Sequence, residues 1–268
     1  MNGQSKLLKW AGSKSQISDR LSPFLSFDVP YIEPFCGSAV FFFENSPETS
    51  HLNDLNSDLI EFFRQTKAAP DEVWEQYAAI PVDEQSYYSA RTRYNEMEHS
   101  PEKAGYFVYL NHFCFNGLYR TNRSGKFNTP YGAKLKVKKK LDCETFRRFS
   151  RVLQNAQLYS LDFEAFLSQL NPTGSCIYMD PPYFTNDERV FGEYGANTFK
   201  GRDLERLFSV SHALSKSNRV VISYKNCTEF SETFSSSIVG DISVTRNVGG
   251  FAGRRKIEKE LVAVLDNR

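Results

Sequence analysis

Four residues past the middle of the chain, Asp180-Pro181-Pro182-Tyr183, carry groups that could do chemistry together. They follow the apolar run Ile177-Tyr178-Met179, which reads as the end of a buried strand. The prolines must stop that strand, because neither can donate a ladder hydrogen bond and each restricts the residue before it. Asp180 then supplies a carboxylate acceptor, the carbonyl of Pro181 is released from the ladder to accept as well, and Tyr183 offers a flat aromatic face. Two acceptors beside a stacking ring suit an exocyclic amine on a planar base. Taken alone, the four residues read equally well as a plain turn after a strand.

Holding such a pocket takes a sheet, and the flanking sequence provides one. Val29 to Ala39 reads as a short strand running into Cys36-Gly37-Ser38-Ala39 and then into an apolar helix from Val40 to Glu44. A strand, a loop of small residues and a helix N-terminus open a nucleotide-binding βα unit, although the spacing is neither G-x-G-x-x-G nor a P-loop. A second strand ends at Ser50-His51-Leu52-Asn53-Asp54, with Asp54 standing 21 residues beyond Glu33. In doubly wound sheets an acid at that place bonds ribose hydroxyls; the other reading of Asp54 is an N-cap for a helix over Leu55 to Thr66.

From Leu55 to Phe115 the apolar residues recur at helical spacing and no strand is evident. The segment then changes to Gly, Asn, Thr and Pro, a loop or hairpin in which Arg120, Arg123 and Lys126 interleave with Tyr119, Phe127 and Tyr131. Between Arg120 and Arg151 there are eleven Lys and Arg against two acids, a local balance of +9 in a chain whose formal net charge is +1. A basic face on an otherwise acidic body points to nucleic acid, with Arg and Asn able to read base edges and Lys138 and Lys139 able to hold phosphates. Beyond residue 155 strands and helices alternate again. The last two strands, Ile238 to Thr245 and Glu260 to Leu265, are joined too briefly for a crossover helix and should pair antiparallel.

Composition excludes several classes. No apolar run approaches the roughly 20 residues of a membrane span, and the N-terminus lacks a secretory apolar core, so a cytoplasmic protein without a membrane partner is expected. Five cysteines stand singly with no C-x-x-C pair, which fits reduced thiols rather than disulfides or zinc, and no metal is expected. Cys36 follows Phe35, not a proline, and so does not suggest the cysteine nucleophile of cytosine-C5 transfer.

The motifs, in order, resemble those of Dam-type (D12 class) DNA adenine-N6 methyltransferases. They are Lys9-Trp10-Ala11-Gly12, Glu33-Pro34-Phe35 with Gly37, Asp54-Leu55-Asn56, Asn116-Gly117-Leu118 with Arg120, Asn122 and Gly125 to Pro130, and the tetrapeptide. The resemblance covers nearly the whole chain. It implies an α/β class I S-adenosylmethionine-dependent methyltransferase, Rossmann-like, with a mostly parallel sheet, an antiparallel C-terminal strand and an inserted, mainly helical DNA-recognition domain. The expected division is 1–55 with 156–268 for catalysis and cofactor binding, and 56–155 for recognition, including a basic hairpin or loop over 116–140. S-adenosylmethionine would lie against Trp10, Lys14, Glu33, Phe35, Gly37, Asp54, Asp162, Phe163 and Asp180. Asp180, Pro181, Pro182 and Tyr183 would hold a flipped adenine, and double-stranded DNA would meet Arg120, Asn122, Arg123, Lys126, Asn128, Lys138 and Lys139. A cognate restriction endonuclease is a candidate partner, and a monomer or weak dimer is expected.

The chain departs from that pattern at Ser13 and Ala39, where the family commonly carries glycine, and a methyl at Ala39 should tighten or shift the cofactor pocket. Against members that read GATC it departs at Thr121 and Ser124, so the resemblance does not specify the recognised site. Cytosine-N4 transfer and a catalytically silent DNA-binding module with this fold remain the alternatives.

Overall fold

A computed structural model of the protein describes residues 6–132, 139–183, 199, 201–247 and 255–266. In chain order the elements are α1 (Ser18–Leu21), β1 (Tyr31–Glu33), α2 (Val40–Asn45), β2 (Ser50–Asn53), α3 (Ser57–Ala68), α4 (Pro70–Ala79), α5 (Glu84–Tyr94) and α6 (Pro101–Phe113). There follow α7 (Cys143–Leu153), β3 (Ala156–Tyr159), α8 (Phe163–Leu170), β4 (Cys176–Met179), α9 (Gly201–Leu214), β5 (Arg219–Lys225), α10 (Thr228–Thr233), β6 (Ile238–Asn247) and β7 (Arg255–Leu265). Two compact units emerge: one from the described residues of 1–13 and 54–160, the other from those of 14–53, 161–186 and 199–268. The first thirteen residues group with the helical unit, and the chain passes between the units at 53/54 and 160/161.

The second unit is built on six strands in the order β2-β1-β4-β5-β7-β6. β2, β1, β4 and β5 are mutually parallel, and β7 lies antiparallel to both β5 and β6. All four residues of β4 and the five inner residues of β5 are buried, which is why these strands read as unbroken apolar runs. The chain moves from β1 outward to β2 in one direction and from β4 outward to β5 in the other. Such a reversal leaves a crevice at the carboxyl ends of the two central strands. Glu33 closes β1 and Asp180 follows β4, so two acids stand at that crevice. The antiparallel register sets Glu260 of β7 opposite Lys225, the last residue of β5, and brings a third acid to the same edge.

The segment Ser15 to Leu25, where the spacing of Ile17, Leu21 and Phe24 predicts a short amphipathic helix, is instead a 3-10 turn at Lys14–Gln16, the four residues of α1 and a second 3-10 turn at Ser22–Phe24. Three serines and Pro23 give this stretch too little intrinsic helicity for a continuous helix.

The first unit is helical, as its spacing predicted. Four of its described helices start on side-chain caps, Asn56 for α3, Asp83 for α5, Ser100 for α6 and Asp142 for α7, while α4 starts on Pro70 instead. Helix α6 packs on α3, α4 and α5, with every residue from Phe107 to Phe113 buried. Aromatic rings fill the space between: Phe62 lies 5.2 Å from Phe107 and Tyr77 5.5 Å from His112. His112 bonds the Leu7 carbonyl through Nε2 at 2.9 Å and the Tyr77 hydroxyl through Nδ1 at 3.0 Å. Burial pushes its pKa down to about 4, so it serves as a neutral tie for the N-terminal segment.

Candidate active site

At the crevice of the second unit the tetrapeptide is held by two residues distant in sequence. Lys14 Nζ lies 2.7 Å from Asp180 Oδ1 and 2.6 Å from Glu260 Oε1. It also donates to the Tyr183 hydroxyl at 3.1 Å, and that hydroxyl donates to Glu260 Oε1 at 3.3 Å. The side chains of Lys14 and Glu260 are only 6% and 2% exposed, against 20% for Asp180, so the cluster is buried at its base and partly open on the side of Asp180 and Tyr183. Burial would lower the Lys14 pKa, but the charges of Asp180, Tyr183 and Glu260 outweigh it and keep the ammonium protonated, well above the usual lysine range. The Tyr183 ring packs edge-on against Tyr224 at 5.3 Å, so the ring is fixed at its edge and at its hydroxyl. Pro181 is buried and Pro182 half-buried directly after β4, as expected for a rigid strand stop.

Glu33 is 2% exposed, and its Oε1 has no hydrogen-bond partner. Burial, with the nearby charge of Asp180 adding to it, raises its pKa from 4.5 to about 8. The loop after it turns through Gly37 at φ 47° and Ala39 at φ 49°. Ala39 therefore occupies the left-handed region that favours glycine, at the start of α2. Asn53, 1% exposed at the end of β2, organises the surrounding loops. Its amide donates to the carbonyls of Pro34 at 2.9 Å and Leu161 at 3.0 Å, its Oδ1 accepts from Leu161 N, and its own carbonyl accepts from Cys36 N.

Phe35, Phe163 and Phe199 form an aromatic cluster, with Phe35 5.2 Å from Phe163 and 6.3 Å from Phe199. Phe163 is buried and Phe35 only partly so, which makes Phe35 the more accessible ring. Asp162 caps α8 through Oδ1, which also meets Arg206 Nη2 at 2.5 Å. Arg206 binds Glu164 and Asp203 too, and its guanidinium stands 4.7 Å from the Phe163 ring centre. One arginine thus fixes both Asp162 and Phe163, which the resemblance assigns to the cofactor.

The other assigned residues lie in the first unit. Asp54 accepts from Asn56 N at 2.9 Å, while Asn56 caps α3, so the helix-cap role considered for Asp54 belongs to its neighbour. The Trp10 ring stacks on Tyr119 at 5.9 Å. In the basic loop, Thr121 pairs with Phe127 across a short hairpin; Arg123, Asn128 and Lys139 are exposed, as is Lys126, and Arg120 is half-buried. Asn122 Oδ1 accepts from Ser124 N at 2.9 Å and Lys126 N at 3.0 Å, so that side chain shapes the hairpin tip. Lys138 lies outside the described residues. Glu260, Asn53 and Arg206 went unassigned in the sequence reading. A lone acid entering the apolar run Leu261 to Leu265 was the available signal for the first; nothing local marks the other two.

Among the described residues no group of three His, Cys, Asp or Glu could hold a metal ion, and no helix is long and apolar enough to cross a membrane. A mostly parallel sheet with antiparallel C-terminal strands and acids at its reversal defines the α/β fold of the class I methyltransferases. The family model for D12 class N6 adenine-specific DNA methyltransferases matches residues 10–248, and the chain belongs to that family. Similar proteins include the retron Ec67 DNA adenine methylase of Escherichia coli, 30% identical over 98% of this chain and 92% of that protein. The type II methyltransferase M1.LlaDCHI of Lactococcus lactis subsp. cremoris is 30% identical over 97% of this chain and 95% of its own. The DNA adenine methylase of Haemophilus influenzae is 30% identical over 97% and 93%. The protein is a site-specific adenine methyltransferase of DNA, which sets the cytosine-N4 alternative aside.

Proposed function

We propose that the methyl donor is S-adenosylmethionine, bound at the β1–β4 crevice, and that Asp180 with the Pro181 carbonyl holds the N6 amine of a flipped adenine. The observation that carries this reading is the buried Lys14–Asp180–Glu260 cluster at the strand reversal, beside a Glu33 oxygen that lacks a donor. The residues fit the cofactor: Glu33 offers an acceptor to a cationic amino group, the Gly37 loop allows close backbone approach, and Phe35 and Phe163 provide an apolar wall for a purine. S-adenosylmethionine supplies a methyl group on a sulfonium sulfur.

The target amine is a poor nucleophile, because its lone pair is delocalised into the ring, and inside the stack it is inaccessible. Flipping it out costs a few kcal/mol. Tyr183, already fixed by Lys14, Glu260 and Tyr224, stacks on the extruded base. Asp180 and the Pro181 carbonyl accept the two N6 hydrogens, favouring a tetrahedral nitrogen whose lone pair is localised for direct attack; the surplus proton then leaves to solvent. Lys14 holds the Asp180 carboxylate in place, so the rate enhancement comes from positioning and electrostatics. Arg120 and Arg123 read bases from the hairpin, and Lys126 and Lys139 contact phosphates.

Asp180→Ala tests the assignment. Methyl transfer to duplex DNA, followed with labelled S-adenosylmethionine, should fall by at least about a thousandfold while DNA binding stays within a few-fold. Near-normal transfer would remove Asp180 from the mechanism.

A further inference from the structure

The hairpin that carries Arg120 and Arg123 is too short to hold itself. Besides the Thr121–Phe127 bridge, its backbone bonds run from Asn122 N to Lys126 O and from Asn128 N to Arg120 O, both near 2.9 Å, with a turn bond at Gly125 and, at the base, a Cys114–Tyr131 bridge and a bond from Phe115 N to Pro130 O. A two-stranded ribbon of this size is marginal without support. Support comes from one row of side chains along α5 and the residue after it. Asn95 mimics a neighbouring strand: its Nδ2 donates to Phe127 O at 2.9 Å, and its Oδ1 accepts from Phe127 N at 2.8 Å. Arg91 donates to the carbonyls of Asn128 and Thr129, and Tyr87 donates its hydroxyl to Thr129 O at 2.9 Å. Residues 87, 91 and 95 are spaced by four, so they share one helix face. On the outgoing strand, the Tyr119 hydroxyl bonds Asp58 Oδ2 at 2.8 Å, next to Arg120.

We infer that the row Tyr87, Arg91 and Asn95 sets the register of the hairpin against the helical unit, and that Asn95 is thereby a positioning residue for DNA-sequence selectivity. Asn95 is the only one of the three that grips both the N–H and the carbonyl of a single hairpin residue. It holds Phe127 opposite Thr121, between the two arginines. Loss of that grip lets the arginines sample more than one alignment along the bases. Discrimination between the preferred site and its one-base variants then falls, because each base contact depends on fixed geometry. The inference rests on the reading of the hairpin as the base-reading element.

The test is profiling of methylated adenines in DNA from cells expressing the wild type, Asn95→Ala, Asn95→Asp, Tyr87→Phe and Arg120→Ala, with purified proteins assayed on the preferred site and its one-base variants. Asn95→Ala should lower the preference by about tenfold, with turnover on the preferred site and S-adenosylmethionine affinity within about twofold of wild type. Asn95→Asp, which keeps the acceptor for Phe127 N, should recover part of the preference, and Tyr87→Phe should show a smaller loss. These milder variants also decide the matter if the alanine protein does not fold. Unchanged preference in the Asn95 variants, with only a lower melting temperature or uniformly reduced activity, overturns the inference. Unchanged preference in Arg120→Ala would instead show that the hairpin is not the reader.

Discussion

Replacing Glu33 by Gln should make the unliganded protein more stable, and by an amount that depends on pH. The Glu33 carboxyl is 2% exposed, and its pKa rises from 4.5 to about 8 on folding, chiefly through burial. The folded state therefore binds more protons than the unfolded state between those values, and stability must fall as pH rises through that window. At about 1.4 kcal/mol per pH unit, the full loss is a little under 5 kcal/mol by pH 8 and above, of which about 4 kcal/mol is reached at pH 7.5. Glutamine removes the ionisation but brings an amide that needs its own partners, at a cost of about 1–2 kcal/mol. The net expectation is a gain of about 2–3 kcal/mol at pH 7.5, vanishing or reversing at pH 4.5, where the carboxyl is protonated in the folded state and half-protonated in the unfolded one. Urea denaturation of both proteins from pH 4.5 to 8.5 measures the difference directly. Calorimetry with S-adenosylmethionine should show weaker binding by the variant, since a neutral amide cannot offer a cationic amino group the charge of a carboxylate. A stability difference that stays flat across this pH range would refute the reasoning, as would a variant less stable throughout.

Two further outcomes follow from the same crevice. Ala39→Gly should stabilise the protein by about 0.5–1 kcal/mol, because glycine adopts the left-handed φ of 49° without steric cost, and thermal denaturation would detect it. Glu260→Gln should cost about 1–3 kcal/mol of stability by weakening the buried grip on Lys14, and should lower kcat more than it raises KM, because it leaves Asp180 and Tyr183 less firmly held; steady-state kinetics on duplex DNA separates the two constants.

Much of this was legible in the chain before folding was considered. The run Ile177 to Met179 had to be a buried strand and Pro181 had to end it, since apolar continuity and a missing N–H act locally. The helical spacing from Leu59 to Phe113, the basic loop after Asn116 and the antiparallel close of the sheet were local in the same sense. By contrast, the helix expected over Ser15 to Leu25 broke where serines and Pro23 outweighed apolar spacing, and Asn56 rather than Asp54 took the cap.

What tertiary structure alone decided is which distant groups meet. Lys14 and Asp180 are 166 residues apart and Asp180 and Glu260 another 80, yet strand order and the register of β7 against β5 bring them within hydrogen-bond reach. Glu33 reads as an ordinary acid in sequence; its strong preference for the neutral form arises from burial that no neighbouring residue dictates. The pairing of Asn95 with Phe127 and the grip of Arg206 on Asp162 are of the same kind. Local sequence determines the conformation of each segment because sterics and periodicity act over a few residues, whereas pairing, burial and electrostatics depend on the company that folding assembles.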